Sequence, residues 1–170
     1  MGVQKSKGCL LDFQKLTNYL KSRFSADIRI FYYDAYPKDG TRPYSVEGKF
    51  KQYRFLEKGL GFTVRKKPLK QIHRLSDDID TVFEKGNMDV EMTIDAVHFI
   101  NQYDTMIIFS GDSDFLALVN FVKARDKKVF IFSSQNNISK ELISGSNKYF
   151  DILKISDDIW RNKLNHRAKQ

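Results

Sequence analysis

Two continuous apolar runs, Met106-Ile107-Ile108-Phe109 and Val129-Phe130-Ile131-Phe132, flank an amphipathic stretch from Asp114 to Arg125. No other feature constrains the fold as much. Uninterrupted apolar strands are those covered on both faces, and parallel neighbours need a crossover of a dozen or more residues, usually a helix. The segment therefore reads as strand Thr105 to Ser110, helix Asp114 to Arg125 and strand Lys128 to Ser133.

The rest of the chain continues the alternation. Leu10, Phe13, Leu16, Leu20 and Phe24 recur at steps of three and four, which predicts a helix from Leu10 to Phe24. Asp27 to Asp34 reads as a strand rich in β-branched and aromatic residues, followed by a loop with Pro37, Gly40 and Pro43. Val46 to Lys58 is a second helix, stopped by Gly59 and Gly61 before a strand from Phe62 to Arg65. A basic, irregular stretch runs to Gly86. Asn87 to Ile100 is apolar around much of its circumference, so a largely buried helix is expected. Asn137 to Ser144 reads as a short helix and Tyr149 to Ile155 as a last strand. A terminal helix starts at Ser156, periodic to Leu164 and bounded at 168. The order predicts an α/β fold of three layers, with a mostly parallel sheet flanked by helices. The strands near 28 to 33, 105 to 110 and 128 to 133 are expected side by side in that sheet.

At 170 residues, with 41% hydrophobic and 14% aromatic content, the chain suits one domain over 1–170. No apolar stretch approaches the ~20 residues of a membrane-spanning helix, so no membrane partner is expected. The polar start and the single cysteine, Cys9, point to a cytoplasmic setting without an internal disulfide. Gly2 with Ser6 meets a myristoylation pattern too short to carry weight. A formal net charge of +8 favours a polyanionic partner. The positive residues cluster at Lys49, Lys51, Arg54 and Lys58; at Arg65, Lys66, Lys67, Lys70 and Arg74; and at Arg161, Lys163, Arg167 and Lys169. Tyr44, Tyr53, Phe55 and Phe62 lie among the first two groups, where they could stack on unpaired bases or turn into the core. A nucleic acid with unpaired bases is the polyanion this pattern favours, with Arg65, Lys66, Lys67, Lys70 and Arg74 as its contacts. The sequence leaves a homodimer open.

Against this basic background stands Ser110-Gly111-Asp112-Ser113-Asp114-Phe115, where an apolar strand gives way to a helix. Ligands of open α/β sheets bind at the carboxyl ends of strands, and a helix N-terminus keeps nearby carboxylates ionised. Closely spaced carboxylates suit a hard cation such as Mg²⁺. The simpler alternative is that Asp112 shapes the turn and Asp114 caps the helix. A third acid, Asp89, follows Lys85-Gly86-Asn87-Met88 at the start of the next helix back. The three histidines, His73, His98 and His166, have no zinc-like spacing, and Gly59-x-Gly61 is a helix stop.

Lys85-Gly86-x-x-Asp89-Val90, Asp95-Ala96, Tyr103-Asp104-Thr105, the 110–115 hexapeptide and Lys127-Lys128-Val129, in this order, closely resemble the NYN domain. That family of PIN-like nucleases includes the LabA-like proteins. Tyr32-Tyr33-Asp34-Ala35 and the helix before it are similar as well, so the likeness covers about residues 10–156. It implies a PIN-like, Rossmann-like fold whose acidic cluster binds Mg²⁺ or Mn²⁺ and hydrolyses RNA phosphodiesters. Asp89, Asp112 and Asp114 fall on the family's catalytic, metal-binding site. Ser110, Ser113 and Asp34 are secondary candidates. Asp95 is another, although six residues beyond Asp89 it turns about 240° away on a helix.

Such domains usually open with an apolar strand ending in aspartate, followed shortly by glycine and asparagine. That strand is not found here, and a short strand ending at Asp12 is the alternative to a helix already begun at Leu10. Two function classes follow: a metal-dependent endoribonuclease, and a catalytically impaired RNA-binding or regulatory module lacking the first aspartate. A receiver-like phosphotransfer domain would also place acids at strand ends, but no phospho-acceptor with a matching lysine is found.

Overall fold

The structure, a computed structural model, describes residues 9–41, 43, 45–76, 79–155 and 159–161, with the backbone alone at 73–76 and 79–82. These residues fall into two compact units, one of residues 27–92 and one of 1–26 with 93–170.

In the 27–92 unit, β2 (Phe31–Tyr36) pairs in parallel with β3 (Thr63–Pro68), in register from Phe31 opposite Thr63 to Tyr36 opposite Pro68. The crossover is α2 (Glu47–Arg54), continued by a π-helical turn over Phe55–Gly59. Tyr53 and Leu56 on this segment are fully buried, and Phe62 is buried beside them in sequence. That places two of the interleaved aromatics in the core, where they cannot stack on bases. Phe55 is exposed, and Tyr44 lies outside the described residues. The stretch expected to be irregular is instead an antiparallel hairpin of β4 (Lys70–Ser76) and β5 (Ile79–Lys85). Its apolar residues Ile72 and Phe83 face each other across the ladder yet both stay exposed. Exposed apolar residues at these positions leave the period-two pattern that betrays a half-buried strand weak.

The other unit holds a three-stranded parallel sheet in the order β6 (Thr105–Ile108), β7 (Lys128–Ser133), β8 (Lys148–Asp151). A 3-10 turn over Ser113–Phe115 and α4 (Leu116–Lys123) link β6 to β7, and α5 (Lys140–Gly145) links β7 to β8. Val119, Val122, Val129, Ile131, Phe132 and Leu142 are buried between these elements. Phe24, at the end of α1 (Phe13–Phe24), stacks on Phe130 at 5.5 Å, and Phe132 stacks on Phe150 at 4.6 Å.

Four expectations are corrected. The α/β fold with parallel sheets and flanking helices stands, and β6 and β7 are parallel neighbours, but β2 pairs with β3 in a separate sheet. Alternating elements specify crossovers, not which strands become neighbours. Leu10 is not the start of a helix: Leu10–Leu11 form β1, antiparallel to β9 (Trp160–Arg161), and Asp12 is the N-cap of α1, accepting the Lys15 N–H at 3.1 Å. The Arg161 guanidinium also donates to Asp12, at 3.1 Å. Burial opposes the charge on Asp12, but the Lys15 and Arg161 bonds outweigh it and lower its pKa. The expected terminal helix is correspondingly broken at β9, and its remainder, 156–158 and 162–168, lies outside the described residues. Finally, α3 (Asp89–His98) is not largely buried, because Val90, Ile94 and Val97 form an exposed stripe. Its apolar residues surround the helix, so one face is left over once another packs.

Candidate metal centre

β6 ends at Ile108, and the chain then makes the acidic loop. Gly111 is required by close approach: a Cβ there would lie 1.9 Å from the backbone oxygen of Asn137. The Gly111 carbonyl accepts the Ser139 N–H at 3.0 Å, so the loop is fixed against the one that follows β7. The Ser110 hydroxyl accepts the Asp112 N–H at 3.2 Å, and Asp112 Oδ1 accepts the Asp114 N–H at 3.0 Å. Phe115, buried at the end of the 3-10 turn, holds the far side. Asp112 therefore does shape the turn, with one oxygen. Asp114 lies in the first turn of the helical segment, where the exposed N–H groups favour negative charge.

Asp89 is placed by a different device. Gly86 sits so close to Ala35 of β2 and to Leu69 that a Cβ would meet their side chains at 2.6 and 2.3 Å. Asn87 Oδ1 then accepts the Asp89 N–H at 2.7 Å, which starts α3 with Asp89 as its first residue. Asp112 and Asp114 are thus presented side by side on one loop, while Asp89 opens α3 in the 27–92 unit. Asp89 is half-buried and the other two are exposed. No hydrogen bond reaches the Asp89 or Asp114 carboxylate among the described residues. Exposed carboxylates side by side on one loop fit Mg²⁺ or Mn²⁺ by their chemistry, since such a cation relieves their mutual repulsion and needs oxygen ligands.

The secondary candidates divide. Ser110 positions the Asp112 backbone, and Ser113 is an exposed residue of the 3-10 turn. Asp95 is half-buried on α3, six residues beyond Asp89. Asp34 is already satisfied: its Oδ2 accepts from Lys49 Nζ at 2.7 Å and from the Tyr53 hydroxyl at 2.8 Å. Burial, and then Asp34 itself, push the Tyr53 pKa upward, and burial with the Asp34 charge pushes Tyr32 up to about 12.

The expected RNA contacts are equally mixed. Arg65 and Lys70 are exposed on β3 and β4. Lys66 lies 3.9 Å from Glu57 and over the rings of Tyr53 and Phe50, at 5.1 and 5.8 Å. Lys67 makes a 2.5 Å ion pair with Glu91 of α3. The side chain of Arg74 is outside the described residues, as are Lys163, Arg167 and Lys169. Sequence reasoning missed Asn87, although a glycine and an asparagine just ahead of an acidic helix start is a turn-and-cap pattern. It had no access to the partners of Asp34 and Lys67, which lie 15 to 24 residues away.

Comparison with known proteins agrees with this architecture. The family model of the NYN domain matches residues 3–153. The chain is 30% identical over 150 residues to the low amplitude and bright protein LabA of Synechococcus elongatus, covering 88% of this chain and 76% of that protein. It also resembles the crystal structure of a protein of unknown function from Vibrio parahaemolyticus, with a TM-score of 0.64 at 24% identity over 93% of this chain and 86% of the other.

Proposed function

The chain belongs to the NYN domain family, and from that premise we propose that it is a divalent-metal-dependent endoribonuclease that hydrolyses RNA phosphodiester bonds. The observation that carries this reading is the pair of exposed acids Asp112 and Asp114 on one fixed loop beyond β6, to which the family resemblance adds Asp89. These three residues would hold Mg²⁺ or Mn²⁺, which when bound neutralises charge developing at a phosphate and makes a coordinated water more acidic. The chain supplies the rest. Asp112 divides its carboxylate, Oδ1 closing the turn on the Asp114 N–H and Oδ2 remaining for the ligand. Gly111 and Ser110 fix the loop that presents both acids. Exposed cations, Arg65 and Lys70 first among them, hold the phosphates of single-stranded RNA. The same reading makes residues 1–170 one domain acting in the cytoplasm; among the described residues no helix is long and apolar enough to cross a membrane.

One observation favours a second reading, that of an RNA-binding or regulatory module without cleavage. The short strand ending at an aspartate does not add a fourth acid, because Asp12 caps α1 and pairs with Arg161. A cleavage assay on unstructured RNA separates the two. The wild-type protein should cut in Mg²⁺ or Mn²⁺ and not in EDTA, and D112N/D114N should lower the rate at least ~100-fold, as loss of metal-held charge does. Cleavage unchanged in the double variant would refute the assignment. RNA binding without cleavage by the wild-type protein would establish the second reading.

A further inference from the structure

The first turn of α3 is tied to the parallel pair β2–β3 at a single rung. Ala35 of β2 stands opposite Lys67 of β3, one step before the last pair, Tyr36 and Pro68. Gly86 packs on the Ala35 methyl, which brings the start of α3 close to that rung. From the other strand, Lys67 Nζ reaches Glu91 Oε1 at 2.5 Å. Asp89 lies between these two attachments in sequence, three residues after Gly86 and two before Glu91. Glu91 Oε2 is buried with no hydrogen-bond partner among the described residues, so the Lys67 ammonium on Oε1 is the side-chain group that compensates this carboxylate.

We propose that Lys67 is a positioning residue for Asp89, clamping the first turn of α3 onto the Ala35–Lys67 rung through Glu91, and that it is not a phosphate contact. The proposal rests on the reading of Asp89 as a metal-holding acid. It reassigns one member of the basic run 65–70 from ligand binding to geometry. A carboxylate contributes to a metal site only when held close to its productive position, so loosening the helix start should be felt as weaker metal binding.

Long-range electrostatics predicts the opposite sign for the decisive variant, which makes the test sharp. Removing a cation near a cation site strengthens metal binding by charge alone. If Lys67 is a clamp, K67M should instead weaken Mn²⁺ binding about 3–10-fold by calorimetric titration. It should also raise hydrogen exchange at the amides of residues 90–94 in the metal-free protein, as should E91Q. The swapped pair K67E/E91K should restore protection in that turn and most of the metal affinity. In EDTA, the salt dependence of RNA affinity for K67M should match the wild-type protein, whereas a phosphate contact would lower the slope by about one unit. Unchanged exchange and unchanged or tighter metal binding, with a reduced RNA salt slope, would overturn the proposal. Failure of the metal reading looks different: the wild-type protein would bind no Mn²⁺, the positioning role would fall with it, and the exchange pattern would still decide whether the clamp exists.

Discussion

Asp34, near the end of β2, and the Asp112–Asp114 pair, beyond the end of β6, occupy comparable places in their own parallel sheets, yet their carboxylates meet different surroundings. Asp34 Oδ2 is claimed by the Lys49 ammonium and the hydroxyl of Tyr53, a side chain with no solvent exposure. Asp112 uses one oxygen to close a turn, and Asp114 is exposed in the first turn of a helical segment. An acid at a strand's carboxyl end thus becomes structural when a cation and a buried phenol converge on it. It stays open to a ligand when its neighbours are backbone N–H groups and other acids. The two cases should separate under mutation: changes at the first should alter stability, and changes at the second should alter ligand binding.

The largest effect is expected where the acidic loop meets backbone rather than side chains. Gly111→Ala would force a Cβ against the Asn137 carbonyl, which cannot rotate away. A loss of about 3 kcal/mol, seen as a Tm drop of roughly 6–12 °C, follows from overpacking in a chain of this size. A drop below ~2 °C would show that this loop yields, and would blur the contrast with the region around Asp34. Next comes Asp34→Ala, which leaves the buried Tyr53 hydroxyl and Lys49 without their acceptor. It should cost about 2 kcal/mol by chemical denaturation, with metal affinity unaffected. Metal affinity that falls together with stability would make Asp34 part of the site after all.

A pH titration sharpens the same comparison. Tyr32 has its pKa raised from the ordinary 10 to about 12, by burial and by the Asp34 charge. The folded state therefore retains a proton that the unfolded state releases. This contribution is complete below pH 10 and is lost as the pH rises from 10 to 12, so stability should decline across that window. Tyr32→Phe should flatten the decline, and an unchanged alkaline profile would remove Tyr32 from the account. The smallest effect belongs to D112N/D114N in EDTA: asparagine still accepts the capping bond, and Tm should stay within about 2 °C of wild type. A larger fall would make these acids structural, like Asp34.

How far the sequence reveals all this depends on the range of the interactions. β7 is legible to the residue, because Lys128–Ser133 is covered on both faces and reads as an unbroken apolar run. The β6–loop–helix unit is legible from its apolar run Met106–Phe109 and the amphipathic stretch after it, and its acids stand out against a basic chain. The β4–β5 hairpin is not, since the apolar pair Ile72 and Phe83 that face each other across it remain exposed. α3 misleads in the other direction: its apolar residues run around the helix, but only tertiary packing decides that Val90, Ile94 and Val97 face outward. Asp34 and Lys67 carry the right chemistry for ligand binding, and only the fold reveals that Lys49, Tyr53 and Glu91 have claimed them. Basic and acidic residues are thus readable as an inventory, while their assignment to ligand or to structure is a property of long-range neighbours.

The account's central claim is that Asp89, Asp112 and Asp114 together hold a divalent cation, and calorimetric titration of Mg²⁺ and Mn²⁺ into the folded protein tests it most directly. Wild-type protein should bind at least one of these ions saturably. D89N should weaken that binding about tenfold, D112N/D114N should abolish it, and thermal stabilisation by the ion should disappear in step, as mass action requires. Equal metal affinity in wild type and D112N/D114N would contradict the claim outright.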